Sequence, residues 1–168
     1  AYYVGVGRAL EQWFALDGAR YEALGTDRKV YVYQGGDNQD ITPIRASANL
    51  VNAISTSNGT ANITITDTAH LAAAGDFVTL SSVSANVGGI ANTTIDGEYE
   101  ILSITNADAY IIQSSATATG TARPQANCTV AYQISPGPSE QTFGYGWNAG
   151  TWNAGTWNTP RTTSQITL

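Results

Sequence analysis

A five-residue repeat constrains this chain more than anything else in it. Trp147-Asn148-Ala149-Gly150-Thr151 is followed at once by Trp152-Asn153-Ala154-Gly155-Thr156 and then by Trp157-Asn158-Thr159-Pro160. A period of five matches neither the 3.6 residues of a helical turn nor the two of a strand, so the indoles cannot line one face of a regular element. The chain must turn between tryptophans. Gly150 and Gly155 are the turn-forming positions, free to take positive φ, and each Asn can close a short side-chain-to-backbone bond beside them. Each indole brings a large apolar surface and one N–H that needs a partner when buried. Trp147, Trp152 and Trp157 are therefore candidate contact residues, either packed against protein or exposed as a stacking platform for sugar rings.

The rest of the chain reads as strands and turns. From Gln12 to Ile44 short apolar runs alternate with turn chemistry: Trp13 to Leu16 before Asp17-Gly18, Arg20 to Leu24 before Gly25-Thr26-Asp27, Lys29 to Tyr33 before Gln34-Gly35-Gly36-Asp37-Asn38, then Asp40 to Ile44. This predicts a meander of four strands, the content of one blade of a β-propeller. A helix over Arg8 to Leu16 competes, and Gly5, Gly7 and Asp17-Gly18 argue against it. From Ala46 to Tyr132 the sequence turns rich in Ser, Thr, Asn and Ala, with the alternation of half-buried strands at Asn62 to Thr66, Asp76 to Leu80, Glu98 to Ile104, Ala109 to Ile112 and Cys128 to Tyr132. These predict a small β-barrel or β-sandwich with Phe77, Val78, Ile101, Ile104 and Ile111 supplying apolar faces. Ser84 to Thr94 and Ser114 to Asn127, poor in apolar residues, read as long exposed loops. Pro136-Gly137-Pro138 breaks the chain before the Trp run. The expectation is an all-β chain: a partial propeller-like meander over residues 1–45, an inserted β-barrel or β-sandwich over 46–132, and a return linker with the Trp repeat over 133–168. A start at Ala1 in strand-like sequence and a stop at Ile166-Thr167-Leu168 read as a piece of something longer.

Composition narrows the function. A chain of 168 residues can bury roughly 70% of its unfolded surface, enough for a core without staples. The net charge of −6 lacks the attraction that dominates nucleic-acid affinity, so DNA could pass such a surface without tight binding. No apolar run approaches the ~20 residues of a membrane-spanning helix. Cys128 is the sole cysteine, which rules out an internal disulfide and reads as a small buried residue. His70 is the sole histidine and, although Asp67 is near in sequence, has no second ligand or nucleophile with it. It is expected to bond the backbone of the turn before Gly75-Asp76. Asp37, Asp40, Glu98 and Glu100 are candidate paired carboxylates. Glu98 and Glu100 share one strand face without an identified partner acid, the pattern of a solvated face rather than of a glycosidase. Gly5-Val6-Gly7 lacks the third glycine and the helix of a dinucleotide loop, and the only Lys falls within a strand. Asn58, Asn62, Asn92 and Asn127 begin Asn-x-Thr triplets, which an Asn- and Thr-rich chain produces by chance. No catalytic residue, cofactor or metal site is assigned.

Three segments in order carry a family likeness. They are Gly25-Thr26-Asp27-Arg28-Lys29-Val30-Tyr31-Val32-Tyr33 leading to Asp40-Ile41-Thr42-Pro43-Ile44-Arg45; Ile65 to His70 leading to Gly75 to Thr79 and Glu98 to Ile101; and the run Gly146-Trp147, Gly150-Thr151-Trp152, Gly155-Thr156-Trp157. Together they resemble the tail nozzle proteins of short-tailed bacteriophages, also called packaged-DNA stabilisation or tail accessory proteins. The resemblance implies a β-propeller body with an inserted β module, a hexameric ring in the virion tail beside other tail proteins such as adaptor and fibres, and a channel that guides and helps retain DNA. Members of that family are several hundred residues long, so this chain would carry the first blade, the insertion and the return. The competing reading from the residues alone is a carbohydrate-binding module or adhesin that uses the Trp repeat.

Overall fold

The computed structural model describes residues 3–135, 140–141 and 166–167. Trp147, Trp152, Trp157, Gly150 and Gly155 lie outside the described residues, as does Pro136-Gly137-Pro138. What is described is all-β, built of antiparallel sheets, with one four-residue helix.

The first sheet is the meander, with β1 (Gly7–Phe14), β2 (Arg20–Thr26), β3 (Val30–Gln34) and β4 (Asp37–Asp40) paired in chain order. Of the competing helix over Arg8 to Leu16, residues 8–14 are strand. The fourth strand begins earlier than the sequence suggests. Gly35 and Gly36 both take positive φ, 59° and 101°, which makes a two-residue hairpin loop and pairs Gln34 with Asp37 at once. Turn geometry, rather than the apolar Ile41 and Ile44, sets that strand.

The chain then enters a two-sheet sandwich. One sheet has the order β5 (Ile44–Leu50), β13 (Cys128–Gln133), β8 (Phe77–Ser81), β9 (Gly97–Glu100). The other has β10 (Ser103–Asn106), β11 (Ala109–Gln113), β7 (Asn62–Thr66), β6 (Ile54–Thr56), β12 (Ala122–Gln125). Neither closes on itself, so of the two alternatives open in the sequence the barrel is not formed. Alternation explains the packing: Ile63 and Ile65 of β7, Val78 and Leu80 of β8, Ile112 of β11 and Val130 of β13 all point inward and are sealed from water in one core. Each such side chain contributes roughly 1.5–3 kcal/mol of hydrophobic stabilisation.

Two further expectations change. Glu98 to Ile104 is not one strand: it turns a corner at Ile101 and Leu102, so that β9 pairs with β8 in one sheet and β10 with β11 in the other. Buried Ile101 is fixed there by backbone bonds to Gly75 and Asp76. Nor are Ser84 to Thr94 and Ser114 to Asn127 long exposed loops. Val87, Ile90 and Ala118 are buried in the core, α1 (Asn92–Ile95) buries Ile95, and Gly88 bonds through its carbonyl to the amides of Thr119 and Gly120. A few small apolar residues suffice to pin both segments to the sandwich.

Entry and exit of the sandwich lie side by side. β5 pairs antiparallel with β13, from Leu50 opposite Cys128 to Ile44 opposite Gln133. Beyond it, β14 (Glu140–Gln141) pairs antiparallel with β15 (Ile166–Thr167).

Candidate functional site

The meander meets the sandwich through charge. Lys29, the chain's only lysine, is buried just before β3, and its Nζ bonds Asp40 Oδ2 of β4 at 2.7 Å and Glu98 Oε1 of β9 at 2.5 Å. Gln133 Nε2 of β13 donates to the same Glu98 oxygen at 2.7 Å. Beside it Arg28 reaches Glu100 Oε1 at 2.6 Å and the Gly75 carbonyl at 3.1 Å. Both cations lie over the ring of Phe77, Lys29 Nζ 4.5 Å and the Arg28 guanidinium carbon 5.3 Å from its centre. Strand alternation assembles this patch: Phe77 stands opposite Glu100, and Thr79 opposite Glu98, on the face of β8 and β9 that points away from the core. Phe77 therefore serves the junction, whereas the sequence places it in the sandwich core.

Electrostatics agree with a structural pairing. Burial alone would lower the Lys29 ammonium, but hydrogen bonds and charge from Asp40 and Glu98 outweigh it and hold the group above its ordinary value. Burial would likewise raise Asp40, and is outweighed by Lys29 and by bonds from the Thr42 hydroxyl and amide, so the carboxyl is held below its ordinary value. Both groups are fully charged at neutral pH. A carboxylate so held is a poor proton donor, which leaves Asp40 unsuited to acid catalysis. Of the four candidate carboxylates the structure thus brings Asp40, Glu98 and Glu100 to one junction, while Asp37 sits at the tip of the β3–β4 hairpin. Sequence reasoning missed Lys29 and Arg28. The available signal was a lone lysine at the start of the apolar run Val30 to Tyr33.

An open cleft of about 810 Å³ adjoins the junction, lined by Gly75, Glu98, Tyr99, Glu100, Leu102 and Ser114 among others. Its groups are engaged elsewhere: Tyr99 donates to the Thr94 carbonyl at 2.7 Å, and burial, then the charge of Asp96, raises its hydroxyl above the ordinary value.

A second polar cluster lies at the His70 turn. His70 Nδ1 accepts from the Ala72 amide at 3.0 Å and Nε2 lies 3.3 Å from the Asn106 carbonyl, so the ring proton belongs on Nε2. The imidazole stands edge-on to Tyr110, with ring centres 5.1 Å apart. Tyr132 donates to Asp67 Oδ2 at 2.6 Å, and its one hydrogen is then used, so Tyr110, 3.2 Å away, donates to Tyr132. Burial first, then Asp67 and Tyr110, push the Tyr132 hydroxyl far above its ordinary value. Arg45 closes the set, bonding the His70 carbonyl at 2.9 Å and lying 4.9 Å from the centre of the Tyr132 ring. These bonds hold Ala69 and Leu71 at positive φ, 55° and 54°. His70 is thereby a brace for its turn, bonding backbone on both sides. Cys128 is buried, and burial, then Asp67 and Asp96, push its thiol up to about 11, which makes it a poor nucleophile. Among the described residues no group of three or more His, Cys, Asp or Glu could hold a metal ion, and no helix is long and apolar enough to cross a membrane.

No family model matches the sequence, and no curated protein matches it. The solved structure of phage phi92 endosialidase is similar over 74% of this chain and 19% of that chain, with 15% sequence identity and a TM-score of 0.46. The chain thus spans about a fifth of that structure's length. A likeness at that level bears on neither activity nor ligand.

Proposed function

We propose that this chain is a structural, non-catalytic part of a bacteriophage tail, a homo-oligomeric nozzle or channel that guides packaged DNA and helps retain it. The observation that carries the reading is the paired entry and exit of the sandwich, Ile44 opposite Gln133. A module whose ends adjoin can be inserted into another body without disturbing it, and the body here is a four-stranded meander of blade form. The ionic junction at Lys29 and Arg28 fits a module held at a set angle rather than loosely tethered. An acidic chain with one lysine suits a wall that DNA slides past. The order of the three family-like segments gives the reading its biological setting, the distal tail, with adaptor and fibre proteins as neighbours.

The test is genetic and compositional. Purified virions should contain the chain in several copies, and particles made without it should lose their DNA. A chain recovered only outside particles, or mutant particles that retain genome normally, would refute the role.

A further inference from the structure

The segment from Asp67 to Asp76, which joins β7 to β8, is anchored near both ends and plugged once in between. At its start the Asp67 amide donates to the Asp108 carbonyl at 2.9 Å, and towards its end the Ala73 amide donates to Asp76 Oδ2 at 2.9 Å. Between these anchors His70, 6% exposed, is the one buried side chain, with Ala72 half-buried beside it. Bonds that hold the middle of the segment run through the same residue: its Nδ1 takes the Ala72 amide, its Nε2 faces the Asn106 carbonyl, and its own carbonyl takes Arg45. A further bond joins the Ala69 amide to Asp108 Oδ1. The backbone on either side of His70 is strained, because Ala69 and Leu71 carry side chains at φ 55° and 54°, where glycine is at ease and they are not. Strain of this kind persists only while the surrounding bonds hold it.

We propose that this segment is an acid-operated switch, in which one proton on His70 opens the turn that the neutral imidazole holds shut. In the closed turn Nδ1 must be bare to accept the Ala72 amide, while Nε2 carries the hydrogen that faces the Asn106 carbonyl. Both nitrogens of an imidazolium are donors. A second proton therefore sets N–H against N–H at Ala72 and places a cation where water does not reach it. Little around the ring offsets that charge. From β5, Arg45 brings another cation to the His70 carbonyl. From β11 the ring meets Tyr110, behind which stands Tyr132 of β13. The nearby carboxylates have partners of their own: Asp67 holds the Tyr132 hydroxyl, Asp108 the Ala69 amide and Asp76 the Ala73 amide. The neutral ring thus belongs to the closed turn and the charged ring to the open one, where water solvates it. An imidazole in water takes its proton at about pH 6.5, so opening gains up to about tenfold for each pH unit below that. Once the ring bonds are gone, strain at Ala69 and Leu71 drives the turn apart. Opening uncovers the buried Tyr110 ring and stops at the two anchors, which leaves the Lys29 junction unmoved.

The experiment follows amide hydrogen exchange and the His70 ring together, by NMR on the whole chain. From about pH 7 to about pH 5 the protection factors of Ala69 and Ala72 should fall more than tenfold, in step with titration of the His70 ring proton signal, while those of β3 and β9 stay level. His70→Asn keeps an oxygen that can take the amide two residues on, cannot accept the proton, and leaves Asp67, Asp76 and Asp108 in place. Its protection at Ala72 should be the same at both pH values. Leu71→Gly keeps the imidazole and removes strain, so its turn should stay closed to a lower pH than in the unaltered chain. The proposal is overturned if Ala72 of the unaltered chain stays protected at about pH 5, if His70→Asn loses protection as the unaltered chain does, or if β3 and β9 lose theirs together with the turn, the mark of general acid unfolding. Should His70→Asn leave the turn open at both pH values, Leu71→Gly decides: opening at an unchanged or higher pH overturns the proposal, and opening at a lower one upholds it.

Discussion

Replacing Lys29 with Met tests the ionic junction most sharply. The side chain of Lys29 is 1% exposed, while those of its partners Asp40 and Glu98 are 30% and 36% exposed. Removing one member of a fully buried pair costs about 3–5 kcal/mol, and an exposed pair contributes about 1 kcal/mol or less. Here the ammonium is buried and the carboxylates are about one-third open, so the abandoned acids can turn partly to water. Lys29→Met should then cost about 2–3 kcal/mol, between those limits. Methionine keeps the apolar stem against Phe77, so the loss reports charge rather than packing. Neutralising the abandoned acids as well, with Asp40→Asn and Glu98→Gln, should restore about 1 kcal/mol, since no uncompensated charge remains. Urea denaturation gives the magnitude, and native-state hydrogen exchange at the amides of β3 and β9 locates it. An unchanged urea midpoint in Lys29→Met, or a triple variant no more stable than the single one, would refute the reasoning.

Other consequences can be measured on the same protein. Asp40's depressed carboxyl stabilises the fold above its ordinary value of 3.8 and ceases to do so as pH falls through the lower folded value; Lys29's raised ammonium stabilises it below 10.5 and ceases to do so as pH rises through the higher one. Exchange protection at β3 and β9 should therefore be flat between these limits and fall outside them. Tyr132→Phe deprives Asp67 of its hydroxyl partner and should cost about 1–3 kcal/mol in thermal or urea unfolding. Leu71→Gly should raise stability slightly: Leu71 is 85% exposed at φ 54°, and relief of about 1–2 kcal/mol of left-handed strain exceeds the roughly 0.5–1 kcal/mol entropic cost of glycine. Cys128 should resist thiol reagents at pH 8 until the protein is denatured, because its buried thiol is pushed up to about 11.

Much of the sandwich was legible where alternation and burial coincide: Ile63, Ile65, Val78, Leu80 and Val130 recur at every second position and are buried, as is Ile101, whereas Ile104, expected on an apolar face, is 37% exposed. Legibility ended where backbone geometry or distant partners decide. Asp37 to Asp40 carries no apolar signal, and two positive-φ glycines make it a strand. The corner at Ile101 and Leu102 is fixed by bonds to Gly75, Asp76 and Ile111, which no local pattern records. Glu98 and Glu100 read as a solvated face because their partners Lys29 and Arg28 are 69 and 72 residues away. His70 fared better, since a lone imidazole in a turn without a second ligand leaves backbone bonding as its natural use. The Trp run, the strongest feature of the sequence, lies outside the described residues, so the choice between protein contact and sugar platform rests on substitution of Trp147, Trp152 and Trp157.

An electron cryo-microscopy reconstruction of the distal tail of virions that carry this chain measures the central claim directly. Several copies should stand around a channel, each with a four-stranded meander in the wall and a β-sandwich projecting from it at the Lys29 junction. A tail tip built without this chain, or one in which it appears as a single peripheral copy away from the channel, would contradict the account.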